Sequence, residues 1–330
     1  MTIESKIERL KTRSGKIGLL INPLSGQVRK REKAIRQALD QIPGGIRCEA
    51  SDGAGFISAT DNLIQADVDL LVIIAGDGTS HAILSHLFAL LPVAQWPILM
   101  IIPGGTTNMT SLDLGMQGKP EKILHRLADY LQQADTPELV QRPVLCIEQN
   151  GQNTIYGMFF AVGLVARGVK FSRSSVKQIG ITGGIFTFLI MLRSLFGMIL
   201  GRNQTEWAPV NMSMIKEDGK KFHGTYLFAL ISALDCLLLN IRPYWGRETA
   251  PLHVTWVDQH RKKLWRSVWP LLTGKGHLLK TQDGYHSHNA TTLTIYLNDE
   301  YIVDGELYRS TDSDEPLRIS ATQPVTFLVL

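Results

Sequence analysis

Short apolar runs alternate with amphipathic, helix-like segments through the first part of the chain. The apolar runs, rich in Ile, Leu and Val, occupy residues 16–21, 46–50, 70–75 and 98–102. The segments between them predict helices over residues 29–41, 55–66 and 81–91. Strands that alternate with helices are typical of βαβ units, in which successive strands lie parallel in one sheet. The pattern therefore predicts an α/β domain over residues 1–137.

The pattern changes near residues 134–142. Beyond this point apolar and polar residues alternate with a period of two, as they do in half-buried strands of antiparallel sheets. The alternating runs are 144–148, 154–163, 252–257, 292–298, 301–308 and 325–330. They predict an antiparallel β-sandwich or barrel over 138–330, interrupted by a long helix over residues 175–200. The expected fold class is α/β plus β, a Rossmann-like parallel-sheet domain followed by a β-sandwich domain with an inserted long helix.

Within that predicted helix, residues 179–200 approach the length of a membrane span. The stretch contains Arg193 and four glycines. An Arg near the centre of a lone spanning helix is unfavourable by at least ~2.5 kcal/mol. We therefore expect a helix that is buried or lies at a membrane surface with Phe186, Phe188 and Phe196, and we keep a true span as the alternative.

The composition excludes several classes of protein. With 44% apolar and 19% charged residues among 330, the chain is too apolar to remain disordered. Three widely spaced cysteines, Cys48, Cys146 and Cys236, cannot form a disulfide framework, so we expect a reducing compartment. Residues 1–16 lack the apolar centre of a secretory signal, which favours a cytoplasmic location.

The net charge of +4 conceals a local concentration of positive charge. Residues 242–280 hold eight Lys or Arg residues and two acidic residues. Such a face suits anionic lipid head groups, phosphates or nucleic acid, and it equally suits simple solvation. Residues 259–272 add Trp265 and Trp269 to four basic residues, a composition typical of a helix at a membrane surface, although either tryptophan could belong to the core.

A turn rich in Gly, Asn, Ser or Thr follows three of the four predicted strands of the first domain. These turns are residues 22–26, 76–79 and 104–108. Open α/β sheets bind ligands at the carboxyl ends of their strands, and backbone N–H groups there can hold phosphate. The chain has no Gly-Lys-Ser/Thr motif of a P-loop, and each turn alone could be an ordinary connection with Thr79 or Ser80 as a helix N-cap. Their succession predicts one phosphate-binding cleft.

Asp304, Gly305 and Glu306 stand between two alternating runs near the end of the chain. Asp-Gly is a frequent two-residue hairpin turn, which alone would explain these residues. Alternatively, one carboxylate accepts the proton of an attacking hydroxyl, as phosphoryl transfer requires. Three histidines farther upstream, His277, His286 and His288, could bind a metal, but we expect them to be exposed on a polar loop.

Taken in order, these motifs resemble the diacylglycerol kinase catalytic-domain family, which includes sphingosine and ceramide kinases and soluble bacterial lipid kinases. The resemblance rests on NPLSG at 22–26, GDGT at 76–79, PGGTTN at 103–108, VKQIGITGGIFTFLIMLRSL at 176–195, LLTGKGH at 271–277 and VDGE at 303–306. It covers essentially the whole chain and is greatest with the bacterial members. GDGT also occurs in NAD kinases and phosphofructokinases, whereas GDGT with a late DGE is more specific.

The resemblance implies a lipid kinase that transfers the γ-phosphoryl group of ATP to a diacylglycerol-like or sphingoid hydroxyl. The residues that would contact ATP are Asn22, Ser25, Gly26, Ser51, Gly76, Asp77, Gly78, Thr79, Ser80, His81, Gly105, Thr106 and Asn108. Asp77 would also lie beside Mg²⁺, and Glu306, with Asp304 next to it, would accept the proton of the lipid hydroxyl. The expected partners are a lipid substrate and the inner membrane surface, without nucleic acid, and a homodimer is left open.

Several positions depart from the family pattern. Ala75 replaces the first of two glycines, His81 and Ala82 stand in place of Asn and Glu, and Met109 stands in place of Asp. The stretch RETAPLHV at 247–254 lacks the Asp-Gly of a second-domain Mg²⁺ site. The loss of two acids keeps open a catalytically silent lipid-binding or regulatory protein, and the shared GDGT keeps open an NAD or other nucleotide kinase.

Overall fold

The structure is a computed structural model that describes residues 2–12, 14–42, 44–133, 138–170, 208–310 and 315–330. The chain forms two compact units. The first comprises Met1–Arg142 together with Gln323–Leu330, and the second comprises Pro143–Thr322. The chain thus enters the second unit five residues later than the predicted division at 137/138, and it returns to the first unit at its end.

Six strands form the sheet of the first unit. They are β1 (Ile17–Ile21), β2 (Ile46–Glu49), β3 (Leu70–Ala75), β4 (Ile98–Pro103), β5 (Glu138–Arg142) and, after the whole second unit, β17 (Val325–Val329). The strand order is β2-β1-β3-β4-β17-β5, and adjacent strands are parallel except for the antiparallel pair β17 and β5. Strands β1, β3, β4 and β17 are buried along their whole length, which explains their unbroken apolar sequences. The predicted parallel-sheet domain is confirmed.

The helices of the first unit lie before or between its strands in the sequence, and two of their boundaries differ from the predicted ones. They are α1 (Ile3–Lys11), α2 (Gly26–Lys30), α3 (Glu32–Leu39), α4 (Gly53–Gln65), α5 (Asp77–Leu90), α6 (Met109–Asp113) and α7 (Pro120–Gln133). The single helix predicted over 29–41 is two helices, because Arg31 leaves helical geometry at φ −125° and ψ 18°. Helix α4 begins two residues before its predicted start, because the Asp52 side chain accepts a hydrogen bond from the Gly55 N–H and caps it.

In the residues that the structure describes, the second unit contains an antiparallel sheet of eleven strands. They are β6 (Leu145–Glu148), β7 (Ile155–Gly157), β8 (Phe159–Gly163), β9 (Val210–Lys216), β10 (Lys221–Ser232), β11 (Leu252–Asp258), β12 (Tyr285–Ala290), β13 (Thr292–Leu297), β14 (Glu300–Val303), β15 (Glu306–Arg309) and β16 (Leu317–Ala321). Alternate side chains, such as Leu252, Val254 and Trp256 of β11, enter one hydrophobic core. The antiparallel β-domain is confirmed, with its strands connected in a single sheet.

The last strand differs from its predicted place. The run 325–330 was predicted to belong to the β-rich domain, but β17 lies between β4 and β5 in the first unit. Its neighbour β5 also lies beyond the predicted boundary, and the two strands pair antiparallel from Val325 with Arg142 to Val329 with Glu138. Five consecutive buried residues in β17 are typical of a strand covered on both faces, and such a strand cannot be assigned to a domain by alternation.

The second unit also contains a helix, α8 (Leu264–Leu272), and residues 164–170 are helical. The long helix predicted over 175–200, with Arg193 and its phenylalanines, lies outside the described residues. Within the described part of the chain, every helix is too short or too polar to cross a bilayer.

Candidate active site

The three turns that follow β1, β3 and β4 are joined to one another by hydrogen bonds. The Asn22 side-chain amide donates to the Thr79 hydroxyl at 2.8 Å, and the Gly76 N–H donates to the Ser25 hydroxyl at 3.2 Å. The Gln27 N–H donates to the Gly104 carbonyl at 2.8 Å. The structure therefore brings the predicted turns together at the carboxyl ends of three adjacent strands.

Glycines allow two of these turns to lie backbone against backbone. A Cβ atom on Gly105 would stand 2.6 Å from the Gly76 Cα, and one on Gly104 would stand 2.8 Å from the Ala75 nitrogen. Neither distance is tolerated in real packing. Ala75 is one of the departures from the family pattern. It fits at this position because Gly104, which has no side chain, packs against its backbone.

Asp77 fixes the third turn to the start of α5. Its Oδ2 accepts hydrogen bonds from the Thr107 hydroxyl at 2.5 Å and from the Met109 N–H at 3.1 Å, and its Oδ1 accepts one from the Thr110 N–H at 3.3 Å. Met109 contributes its backbone here, so this hydrogen bond does not require the Asp that the family pattern carries at that position. The Asp77 carboxylate thus caps α6 through two consecutive backbone N–H groups.

The beginning of α5 combines a helix N-terminus with open space. The first N–H groups of a helix have no partner within it, and they carry the positive end of the helix dipole. Gly76 is the N-cap of this fourteen-residue helix, and a Cβ on exposed Gly78 would meet no atom within 4 Å. An anionic group can approach the backbone closely at this point.

The residues predicted to contact the nucleotide differ in their exposure to solvent. Asn22, Thr79, Ser80 and Gly105 are buried, with the Thr79 hydroxyl on Asn22 and the Ser80 hydroxyl donating to the Gly76 carbonyl at 3.3 Å. Half-buried positions are Ser25, Gly26, Gly76, Asp77, His81 and Asn108. Exposed positions are Ser51, Gly78 and Thr106. Asn108 has left-handed geometry at φ 52°, and its amide oxygen accepts the Gly105 N–H at 2.7 Å, which makes the turn rigid.

In the second unit, Asp304 and Gly305 form the two-residue turn between β14 and β15. Both have positive φ, 48° and 86°, as a type I′ hairpin turn requires. The Asp304 carboxylate accepts the backbone N–H groups of Met158 at 3.0 Å and Phe159 at 2.9 Å. Gly157 permits this approach, because a Cβ there would lie 2.9 Å from Asp304 Oδ2. Asp304 therefore has a structural role in holding the hairpin to β8.

Glu306 differs from Asp304 in its surroundings. It is exposed at the start of β15, where it pairs with Val303 across the hairpin. Tyr308, two residues along the same strand and stacked on Tyr301 with ring centroids 5.5 Å apart, was not predicted as part of this site. Burial and the negative charges of Glu306 and Asp304 raise the pKa of Tyr308, so this phenol remains a neutral hydrogen-bonding group beside Glu306. The alternating spacing 306, 308 is the signal that could have indicated it.

The expectation that the histidines are exposed on a loop is wrong for His286 and His288, because both lie in β12. Their rings stack on Trp256 with centroids 5.0 and 5.3 Å away. His286 contacts Asp258 at 3.0 Å, and His288 contacts Glu248 at 2.6 Å.

Glu248 lies in the stretch that lacks the family's Asp-Gly. Burial alone would raise the pKa of Glu248, but hydrogen bonds from His288 and the Asn289 N–H lower it to about 2. Lys216, itself buried, lies 3.5 Å from the same carboxylate. Across the described residues, no three His, Cys, Asp or Glu side chains are grouped so as to hold a metal ion.

Residues 16–138 match the family model of the diacylglycerol kinase catalytic domain. This match includes all three turns and confirms the resemblance for this part of the chain. Two crystal structures of Bacillus anthracis str. Sterne proteins assigned as diacylglycerol kinases have a similar fold. One is 17% identical with a TM-score of 0.65 and 94% coverage of both chains, and the other is 16% identical with a TM-score of 0.61 and coverage of 96% of this chain and 97% of its own. At these identities the likeness concerns the fold. A search of the curated proteins gives no match.

Proposed function

We propose that this chain, whose residues 16–138 match the diacylglycerol kinase catalytic domain, is an ATP-dependent lipid kinase. The reaction transfers the γ-phosphoryl group of ATP to a hydroxyl of a diacylglycerol-like or sphingoid lipid. The observation that carries the proposal is the set of interlocked turns around the open N-terminus of α5. The late hairpin with an exposed Glu306 favours this reaction over an NAD or other nucleotide kinase.

The first unit supplies the nucleotide site. Gly78 leaves space for phosphate oxygens at the start of α5, where the helix dipole and N–H groups stabilise negative charge. Ser51 and Thr106 present exposed polar side chains after β2 and β4. Asn22, Thr79 and Ser80 are buried, and we assign them a supporting role. Their hydrogen bonds hold the turns after β1 and β3 in place.

Asp77 is the residue of this unit that would hold Mg²⁺. Magnesium is commonly bound by one or two protein carboxylates, substrate phosphates and water, so a single aspartate fits its usual coordination. The ion, when bound, neutralises charge on the phosphate oxygens. The hydrogen bonds from Thr107 and Met109 keep the Asp77 carboxylate fixed for this purpose.

Glu306 is the proposed general base. Its carboxylate accepts the proton of the lipid hydroxyl as the hydroxyl oxygen forms a bond to the γ-phosphorus and the bond to the ADP oxygen breaks. Asp304 is unsuited to this role, because its oxygens accept two backbone N–H groups. Most of the rate acceleration would come from positioning and charge neutralisation.

The experiment is a transfer assay with labelled ATP and micelles of diacylglycerol, monoacylglycerol, phosphatidylglycerol, ceramide or sphingosine. We expect one lipid class to be labelled, with kcat lowered about 10²- to 10⁴-fold in Glu306→Gln and ATP binding unchanged. Glu148→Gln, which alters another exposed strand carboxylate of the second unit, should retain wild-type activity.

Three results would contradict the proposal. Loss of ATP binding in a folded Glu306→Gln protein would place Glu306 in the nucleotide site. Phosphorylation of NAD without any lipid would identify a nucleotide kinase. Absence of both labelled lipid and any thermal shift with Mg-ATP would identify a catalytically silent protein.

A further inference from the structure

Four of the eight large apolar side chains that the described residues expose lie close together in sequence. They are Leu239, Trp265, Trp269 and Leu278. Trp265 and Trp269 are 51% and 69% exposed and stand four residues apart on α8, so they share one face of that helix. Ser267, on the opposite face, is 5% exposed. Helix α8 thus buries a small polar residue and presents its tryptophans to the outside, the reverse of ordinary core packing.

Helix α8 is anchored, so this exposure belongs to a fixed element. The Tyr285 hydroxyl donates to the Lys262 carbonyl at 2.9 Å, and the Lys262 N–H donates to the Asp283 carbonyl at 2.9 Å. At the other end the Arg242 N–H donates to the Leu272 carbonyl at 3.4 Å, which brings the segment containing Leu239 to the end of α8. Gly276 lies against the Trp245 ring and holds the segment that leads to Leu278.

Basic residues are concentrated in the same stretch of sequence as three of these apolar residues. Residues 259–280 contain six Lys or Arg residues and no Asp or Glu. The exposed ones are Lys262, Lys263, Arg266, Lys275 and Lys280, of which Lys263 pairs with Asp283 at 3.7 Å. We call the four apolar residues and these five basic residues the α8 patch.

We propose that the α8 patch is a docking surface for an anionic lipid bilayer. Tryptophans are favoured at the boundary between head groups and acyl chains, and basic residues beside them are attracted to anionic lipids. Nucleic acid would engage the basic residues but would gain little from Leu239 and Leu278. A second copy joined through the same patch would place positive charge against positive charge.

The proposal goes beyond the proposed kinase activity, and vesicle binding requires neither nucleotide nor turnover. The full chain is centrifuged with vesicles of phosphatidylcholine alone or with about 30% phosphatidylglycerol. We expect binding to the anionic vesicles, weaker binding to the neutral ones, and a decrease as salt rises.

The variants separate the two parts of the patch. Trp265→Ala/Trp269→Ala should weaken binding to anionic vesicles at least about tenfold, and so should Lys262→Glu/Lys275→Glu. The matched control is Ile57→Ala/Leu90→Ala, which removes apolar side chains that are 44% and 42% exposed in the first unit and should bind like wild type. Circular dichroism and melting temperature verify that each variant is folded.

Several results would overturn the proposal. They are absence of wild-type binding to anionic vesicles, unchanged binding by the tryptophan variant, and equal weakening by the control. Dissociation of a dimer, or loss of RNA binding, in the patch variants without any change in vesicle binding would assign the surface to a second copy or to nucleic acid. Kinase assays on the same preparations report on the proposed function separately.

Discussion

Asp77 and Asp304 share a local sequence, an acid followed by glycine at the end of an apolar run. Both use their carboxylates to accept backbone N–H groups from a neighbouring element. Such hydrogen bonds involve a charged acceptor and are stronger than neutral ones. At the residue scale, a carboxylate in a motif that suggests catalysis therefore also stabilises the fold. Substitutions are needed to separate the two roles.

Asp304→Asn should lower the free energy of unfolding by ~1–3 kcal/mol, because the amide carries no charge and cannot accept both backbone N–H groups as well. Glu306→Gln, two residues away and exposed, should change it by less than ~0.5 kcal/mol. Urea denaturation of the two variants measures the difference. Equal destabilisation of both would show that Asp304 contributes no more than an exposed acid does.

The types of residue at this site could be predicted from the sequence, but the separate roles of Asp304 and Glu306 could not. The Asp-Gly pair predicted a hairpin turn, which the positive φ angles of Asp304 and Gly305 bear out. Nothing in the sequence indicates that Met158 and Phe159 would donate to Asp304, because they are distant in the chain. Thr79 and Ser80 likewise resemble surface hydroxyls in the sequence, and burial is decided by tertiary packing.

At the scale of elements, the first unit depends on turns that approach one another without side chains between them. Gly105 faces Gly76 with room for no other residue, whereas Gly78 faces open space. The same residue type therefore serves packing at one position and leaves room for a ligand at the other. A matched pair of alanine substitutions distinguishes these uses.

Gly105→Ala should destabilise the protein by ~1–3 kcal/mol, because its Cβ would overlap the Gly76 backbone. Gly78→Ala lies in the first turn of α5 and should leave stability unchanged or raise it by up to ~1 kcal/mol. If Gly78 admits phosphate, this variant nevertheless loses affinity for Mg-ATP. Calorimetric titration and denaturation measure the two effects, and unchanged affinity in Gly78→Ala would remove this position from the nucleotide site.

The elements themselves were predicted unevenly. Strands β1, β3 and β4 are buried on both faces, and their continuous apolar runs identified them. Strands β5, β9, β10, β12 and β16 were missed. Strands β9 and β16 do alternate, with exposed Arg318 between buried Leu317 and Ile319 in β16. In β12, by contrast, the consecutive polar residues 286–289 interrupt the alternation. His286 is stable there because it stacks on Trp256, a contact between strands that period-two patterns do not report.

At the scale of the whole molecule, the chain leaves the first unit after Arg142 and returns at Gln323. Strand β16 ends at Ala321 in the second sheet, and β17 begins at Val325 in the first. The first sheet is therefore completed only by the last residues of the chain. Its strand β17 joins β4 to β5, pairing parallel with β4 and antiparallel with β5.

This topology predicts that two leucines from consecutive strands near the end of the chain stabilise different units. Leu328 in β17 and Leu317 in β16 are 1% and 0% exposed, and replacing either with Ala should cost ~2–5 kcal/mol. Leu328→Ala should increase hydrogen exchange in β1, β3 and β4 and leave β9 and β13 protected, whereas Leu317→Ala should do the reverse. Mass spectrometry of the exchanged peptides measures both patterns. If Leu328→Ala instead loosened only the second sheet, or if both variants loosened both sheets equally, the assignment of the last strand to a separate first unit would be incorrect.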